Sequence, residues 1–230
     1  MADADDYPFI VAILKVSGQN LVFTCTGAVV KPSNPLTVLT AAHCLDGVSQ
    51  YQGVFSKTDV FSNNDPSDVF ANLPASGYVR HPNYTCNIDN NIICDNDIGI
   101  LTFDFELTQA QIDSIVFDAI SLPSIDYEFS ANSLYRTLGY GVQDTFRSFN
   151  FTDTLEYMDV TFPDISDQNC SDTFIDCVRT QNEAYNTSMD IVKPGNVCMK
   201  SDVSSFCSGD SGGPLIDITN VSQPILVGVV

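Results

Sequence analysis

The chain has 230 residues, 44% of them hydrophobic, so it is long enough for one large domain or two small ones with a substantial core. Its 29 acidic and nine basic residues give a net charge of −20, which argues against nucleic acid and anionic membranes as partners. No apolar run approaches the roughly 18 residues of a membrane-spanning helix, so the sequence predicts none.

The predicted elements are short apolar runs separated by Gly, Pro, Asn and Asp, a pattern typical of strands and turns. In chain order the predicted strands are residues 9–16, 21–30, 36–40, 98–103, 134–138, 155–162 and 224–230. Only residues 166–179 predict a short helix, because apolar side chains recur there at about one helical turn. The sequence therefore predicts an all-β fold.

Two features of the sequence give conflicting indications of the cellular compartment. Three of the first six residues are aspartates, whereas a signal peptide begins basic and continues apolar. Eight cysteines and several Asn-x-Ser/Thr sequons nevertheless suit an extracellular protein. The sequons begin at Asn83, Asn150, Asn169, Asn186 and Asn220. We therefore expect a fragment or mature-like form of a secreted protein.

The motif Cys-Ser-Gly-Asp-Ser-Gly-Gly-Pro at residues 207–214 places the Ser211 hydroxyl between glycines that let a carbonyl approach the backbone. A serine needs a base to take its proton and an acid to orient that base. His43 follows the predicted strand 36–40, and Asp97 precedes the apolar run 98–103. These residues are the predicted catalytic base and acid.

The order of the serine, the histidine and the acid along the chain differs between hydrolase families. The Gly-x-Ser-x-Gly elbow of α/β-hydrolases requires a histidine after the serine, and none follows Ser211. A subtilisin-like order would require an acid before His43, and only Asp3, Asp5 and Asp6 in the polar leader qualify. Both alternatives are weak.

Three motifs in order, Thr-Ala-Ala-His-Cys, Asp-Ile-Gly-Ile-Leu and Gly-Asp-Ser-Gly-Gly-Pro, resemble those of the chymotrypsin-type (trypsin-like) serine endopeptidases. The resemblance implies that His43 is the base, Asp97 orients it and Ser211 is the nucleophile. It also implies that the N–H groups of Gly209 and Ser211 form the oxyanion hole. Protein and peptide substrates, protein inhibitors, a monomeric state and secretion follow as expectations.

The resemblance further implies two antiparallel six-stranded-type β-barrels with the active site in the cleft between them. The first barrel is predicted over residues 1–121, and the second over 122–230 with its C-terminal part missing. In this family the residue six before the nucleophile, here Ser205, lies at the base of the specificity pocket. A serine there predicts a preference for large apolar residues on the acyl side of the scissile bond.

Zymogen activation in this family pairs a freed N-terminal ammonium with the aspartate before the nucleophile, here Asp210. The chain begins instead with Met1, so we expect Asp210 to need another partner.

The competing hypothesis for the function is a non-catalytic protease homologue acting as a binding or inhibitory protein.

The resemblance implies a Cys25–Cys44 disulfide. It also pairs Cys198 with either Cys170 or Cys177, and leaves Cys207 unpaired or bonded to Cys177. The spacing of Cys86 and Cys94 predicts a local disulfide ahead of Asp97.

Metal and cofactor binding are not predicted. The sequence has no Cys-x-x-Cys pair or EF-hand spacing, and His81 lies near no cysteine pair with ligand spacing. The stretch Arg80-His81-Pro82-Asn83-Tyr84 resembles one that precedes the aspartate in this family, and the resemblance implies that His81 is a loop residue and no catalyst.

Overall fold

A computed structural model describes residues 2–45, 50–55, 60, 72–86, 94–104, 118–142, 154–162, 197, 199, 201 and 208–230. Within these ranges the structure consists of strands, turns and two 3₁₀ helices, Ala4–Asp6 and Ala42–Leu45. The all-β prediction is therefore confirmed. The predicted helix at 166–179 lies outside the described residues.

The first seven strands form one antiparallel sheet in the order β5-β4-β1-β2-β3-β7-β6. They are β1 Ile10–Ser17, β2 Asn20–Lys31, β3 Leu36–Thr40, β4 Tyr51–Phe55, β5 Asn72–Pro74, β6 Gly77–Arg80 and β7 Gly99–Phe103. The strands β1, β2, β3 and β7 match predicted apolar runs. Strands β5 and β6 were missed because they are only three and four residues long, and because the side chains of β6 are largely exposed. Strand β4 was missed because the glycine at its centre interrupts its apolar pattern.

This sheet closes on itself through one bent segment. The Ala75 N–H donates a hydrogen bond to the Tyr51 carbonyl on β4 (2.8 Å), and the Ser76 N–H donates to the Thr102 carbonyl on β7 (2.7 Å). The segment 72–80 therefore pairs with β4 through its first part and with β7 through its second part. Strands β5 and β6 together act as one bent strand. The result is a closed barrel of the six-stranded type, as predicted.

The remaining strands form a second antiparallel sheet in the order β11-β10-β8-β9. They are β8 Tyr135–Gly139, β9 Glu156–Val160, β10 Pro214–Asp217 and β11 Ile225–Val229. Strand β10 was missed because its first residue belongs to the Gly-Gly-Pro motif, which indicates a turn. It begins three residues after Ser211, so this sheet carries the nucleophile loop.

The two sheets pack against each other around a shared core. Leu138, Tyr140 and Ile216 of the second half belong to the same buried cluster as Ile10, Val11 and other residues of the barrel. Burial therefore opposes separation of the halves.

Polar contacts reinforce this packing. The Arg136 guanidinium donates to both carboxylate oxygens of Asp159 (2.6 and 3.0 Å) and to the Tyr7 hydroxyl (2.7 Å). Hydrogen bonding to Asp159 raises the pKa of Arg136, so the cation is retained where the N-terminal segment meets the second sheet.

Candidate active site

His43 lies where the end of β3 meets the second sheet. Strand β3 ends at Thr40, and the 3₁₀ helix Ala42–Leu45 turns the chain so that His43 is partly exposed between two buried neighbours. A disulfide joins Cys44 to Cys25 on β2, with Cα atoms 6.1 Å apart. The pairing implied by the family resemblance is confirmed, and it fixes the short helix to the barrel.

The Asp97 carboxylate binds His43 through two hydrogen bonds. Oδ2 lies 2.7 Å from His43 Nδ1, and Oδ1 accepts the backbone N–H of His43 at 2.8 Å. An ionised carboxylate only accepts hydrogen bonds, so Nδ1 must carry the proton that it donates. In the neutral imidazole Nε2 then retains its lone pair and can act as a base.

Gly99 allows this approach of Asp97 to His43. Strands β3 and β7 pair so that Thr40 lies opposite Gly99, two residues after Asp97. A Cβ atom on Gly99 would lie 2.7 Å from Leu45 Cδ1 and 3.3 Å from the Val79 carbonyl oxygen. Leu45 is buried and cannot easily move aside, so a side chain here would push β7 away from the His43 helix.

Ser211 lies in a loop whose conformation requires glycine on both sides. Gly209 has a φ of 99° and Gly212 a φ of 77°, in the left-handed region that other residues rarely adopt. A Cβ atom on Gly212 would collide with the Thr40 hydroxyl and lie 2.9 Å from the Ala41 nitrogen. The loop thus packs tightly against the end of the strand that leads to His43.

The peptide groups that precede Gly209 and Ser211 are each held by a hydrogen bond to their carbonyl oxygen. The Val142 N–H donates to the Ser208 carbonyl (3.0 Å), and the Gly213 N–H donates to the Asp210 carbonyl (2.9 Å). In a trans peptide the N–H points opposite to the carbonyl, so the N–H groups of Gly209 and Ser211 point away from these anchors. Within the described ranges neither N–H has an acceptor of its own.

The Ser211 loop and His43 are neighbours. The Cys44 sulfur lies 3.8 Å from His43 Nε2 and 3.7 Å from the Ser211 carbonyl oxygen. The structure therefore brings together His43, Asp97, Ser211 and Gly209 at the junction of the barrel and the second sheet. A hydroxyl, an imidazole oriented by a carboxylate and two N–H groups with no acceptor within the described ranges suit nucleophilic attack on a carbonyl group.

The family model described as Trypsin matches residues 1–230 of the chain. The chain belongs to the trypsin family. The resemblance to trypsin-like serine endopeptidases is thereby confirmed.

Three curated proteins illustrate how distant the relatives are. The chain is 25% identical over 222 residues to the urokinase-type plasminogen activator of Gallus gallus, covering 94% of this chain and 46% of that protein. It is 24% identical over 195 residues to the brachyurin of Leptuca pugilator, covering 84% and 71% respectively. It is 28% identical over 222 residues to the chymotrypsin of Phaedon cochleariae, covering 95% and 67%. The chain thus spans less than half of the first relative's length.

Asp210 of this trypsin-family chain points into a turn of the second sheet. Its Oδ1 accepts the Gly141 N–H at 3.0 Å. A Cβ atom on Gly139 or Gly141 would collide with the Asp210 carboxylate, so these two glycines create the space that it fills. The turn at Gly139 and Gly141 therefore holds the Asp210 carboxylate.

One group of potential metal-ligating atoms lies within the described part of the chain. It comprises Cys25, His43 and Cys44, whose ligand atoms all lie within 4.8 Å of one another. The two sulfurs are bonded to each other and so offer no thiolate to a metal. The arrangement fits a disulfide that positions the base.

Of the remaining predictions, some concern described residues and others concern residues outside the described ranges. The Cys86–Cys94 disulfide is present, and the His81 ring accepts the Asn83 N–H in a turn after β6 (3.2 Å). Ser205 lies outside the described residues, as do Cys170, Cys177, Cys198 and Cys207. No helix in the described ranges is long and apolar enough to cross a membrane.

Sequence reasoning missed two buried threonines that contact the site. The Thr40 hydroxyl donates to the Thr26 carbonyl at 2.8 Å, and Thr26 in turn contacts the nucleophile loop. Both are wholly buried in otherwise apolar strands. A polar residue at an inward position of a strand is the feature by which they stand out, because a buried hydroxyl requires a partner.

Proposed function

We propose that this trypsin-family chain is a serine endopeptidase that cleaves peptide bonds through an acyl-enzyme. The observation that carries the proposal is the double contact of Asp97 with the N–H and Nδ1 of His43, beside the Ser211 loop. A carboxylate in this position holds the imidazole with Nε2 available as a base. Asp97 has the role of an orienting acid, and His43 that of the general base.

In the first step Ser211 Oγ attacks the substrate carbonyl carbon while His43 Nε2 takes its proton. The carbonyl oxygen becomes an oxyanion, stabilised by the N–H groups of Gly209 and Ser211. The intermediate collapses when His43 gives the proton to the leaving amine, and the acyl group stays on Ser211. A water molecule, deprotonated by the same imidazole, then releases the acid and restores the serine.

For specificity we propose a preference for large apolar residues on the acyl side of the bond. The support is the family position of Ser205, where a carboxylate would instead favour Arg and Lys. A panel of peptides that differ only at this residue tests the preference. Cleavage chiefly after Arg or Lys would contradict it.

We further propose a secreted, monomeric glycoprotein that is made as a zymogen, acts on proteins or peptides and is controlled by protein inhibitors. Its disulfides Cys25–Cys44 and Cys86–Cys94 suit an oxidising compartment. The sequon residues Asn83 and Asn220 are exposed, as glycan attachment requires.

The division into barrels at residues 121 and 122 also remains a proposal. It is supported by the position of this boundary between β7 and β8, in the segment that connects the two sheets.

Labelling of the natural protein with a serine-directed fluorophosphonate tests the catalytic proposal. We expect Ser211 to be labelled, and Ser211→Ala to lose labelling and about a millionfold in kcat. Ser124→Ala, which alters an exposed serine of the connecting segment, is the matched control and should retain both. Absence of labelling from a protein with a processed N-terminus would favour the non-catalytic homologue.

A further inference from the structure

Thr26 on β2 has a buried hydroxyl that the catalytic steps above do not use. Its side chain is wholly buried, and Oγ1 donates a hydrogen bond of 3.0 Å to the carbonyl of Gly209 in the nucleophile loop. The same oxygen accepts the Tyr140 N–H in a longer contact of 3.4 Å. A single hydroxyl of the barrel thus bridges the nucleophile loop and the turn that holds Asp210.

The backbone of Thr26 contacts the same loop and the strand before the base. Its N–H donates to the Ser211 carbonyl at 2.9 Å, while its own carbonyl accepts the Thr40 hydroxyl at 2.8 Å. Thr40 ends β3, three residues before His43. Thr26 therefore lies between the strand that carries the base and the loop that carries the nucleophile.

The hydrogen bond to Gly209 restrains a residue with few restraints of its own. Gly209 separates two peptide planes, one anchored through the Ser208 carbonyl to Val142 and the other through the Gly209 carbonyl to Thr26. With both planes anchored, neither backbone torsion of Gly209 can rotate freely. Without the Thr26 hydroxyl the peptide between Gly209 and Asp210 could rotate at little steric cost, and the Gly209 and Ser211 N–H groups, carried by the peptides on either side of it, would be less well fixed relative to each other.

We propose that Thr26 is a positioning residue whose hydroxyl, by holding the Gly209 carbonyl, keeps the Gly209 and Ser211 N–H groups directed at the developing oxyanion. This inference rests on the proposed peptidase function. Because the negative charge exists only in the transition state and the intermediate, Thr26 acts on the chemical step more than on substrate binding.

The test compares three changes at Thr26 with one matched control. Thr26→Val keeps the shape and removes the hydroxyl, Thr26→Ala removes it where valine does not fold, and Thr26→Ser restores it. Thr102→Val is the control, because the Thr102 hydroxyl also donates to a glycine carbonyl, that of Gly77 at 3.2 Å, but on β7 away from the loop.

We expect Thr26→Val to lower kcat roughly ten- to a hundredfold with KM changed by less than about twofold. Thr26→Ser should recover most of kcat, and Thr102→Val should retain it. Thr26→Val with unchanged kcat, or with a loss that appears only in KM, overturns the inference. So does a Thr26→Ser variant as impaired as the valine.

Amide hydrogen exchange provides a readout that needs no catalysis. Thr26→Val should speed exchange in residues 208–214 relative to wild type and to Thr102→Val, while β1 stays protected. Unchanged exchange in this loop overturns the inference whatever the activity. A wild-type protein that neither cleaves peptides nor reacts with a fluorophosphonate defeats the proposed function instead, and exchange still decides whether Thr26 holds the loop.

Discussion

The His43–Asp97 pair and the Ser211 loop meet at one site but are held by different kinds of interaction. The pair depends on particular polar atoms, namely two carboxylate oxygens bound to one residue, supported by a disulfide. The loop depends on space, because Gly212, with a positive φ, packs against the end of β3 where no Cβ fits. Exchange of a polar atom should therefore damage the pair, and addition of a methyl group should damage the loop.

After the loss expected for Ser211→Ala, the largest effect is expected from Asp97→Asn, which changes the polar atoms of the pair and almost nothing else. An asparagine amide can donate towards Nδ1 and so stabilise the wrong tautomer of His43, leaving Nε2 protonated. We expect kcat to fall by about ten-thousandfold, with stability changed much less. Steady-state hydrolysis of a peptide substrate and urea unfolding measure the two quantities.

Asp104→Asn, at an exposed position just beyond the other end of β7, is the charge-matched control and should keep its kcat. If Asp97→Asn lost less than about tenfold, orientation of His43 by Asp97 would not be essential to the reaction.

The next largest effect is expected from Gly212→Ala, which tests the spatial half of the comparison. The added Cβ would meet the Thr40 hydroxyl and the Thr26 carbonyl oxygen at a φ that alanine disfavours. We expect unfolding free energy to fall by about 3 kcal/mol, because both overpacking and backbone strain contribute. Urea denaturation of the variant and wild type gives this difference.

Gly18→Ala separates these two contributions. Gly18, in the turn between β1 and β2, has a φ of 64°, but a Cβ there meets nothing within 4 Å. It should lose only about 1 kcal/mol, the cost of the backbone conformation alone. Equal losses in the two variants would show that packing around Gly212 contributes nothing.

The same difference explains which parts of the site could be predicted. His43 and Asp97 follow from their places beside apolar runs, and the glycines around Ser211 from their motif. The contact of Thr26 with Gly209 joins residues 183 positions apart, and no local pattern indicates it. The Asp210–Gly141 hydrogen bond likewise depends on how two distant turns pack.

The same distinction applies to the fold: features with a local sequence pattern could be predicted, and features defined by long-range contacts could not. Strands such as β1 and β3 are predicted well because their side chains are buried and apolar. The bend at Ala75 and Ser76 that closes the barrel has no such pattern, since it is defined by hydrogen bonds to two separate strands.

The smallest effect is expected at Asp217 on β10, in the second sheet but outside the loop. Its carboxylate accepts the Tyr127 hydroxyl (2.7 Å) and the Thr219 N–H (2.9 Å). Burial alone would raise the pKa of Asp217, but the hydrogen bonds outweigh it and lower the pKa below its ordinary value. The ionised form is therefore favoured in the folded state, and it stabilises the fold.

Asp217→Asn should lower the unfolding free energy by about 1 kcal/mol at pH 7, a modest value because the carboxylate is partly solvated. A lowered folded-state pKa contributes stability above the unfolded value of about 3.9, and this is lost as pH falls through the folded pKa. The difference between wild type and variant should therefore shrink below about pH 4. Asp126→Asn, an exposed neighbour with the same charge change, should show no such loss. Because Asp217 lies outside the loop, its variant should keep kcat, and a large loss of kcat would mean that the second sheet and the loop are not held independently.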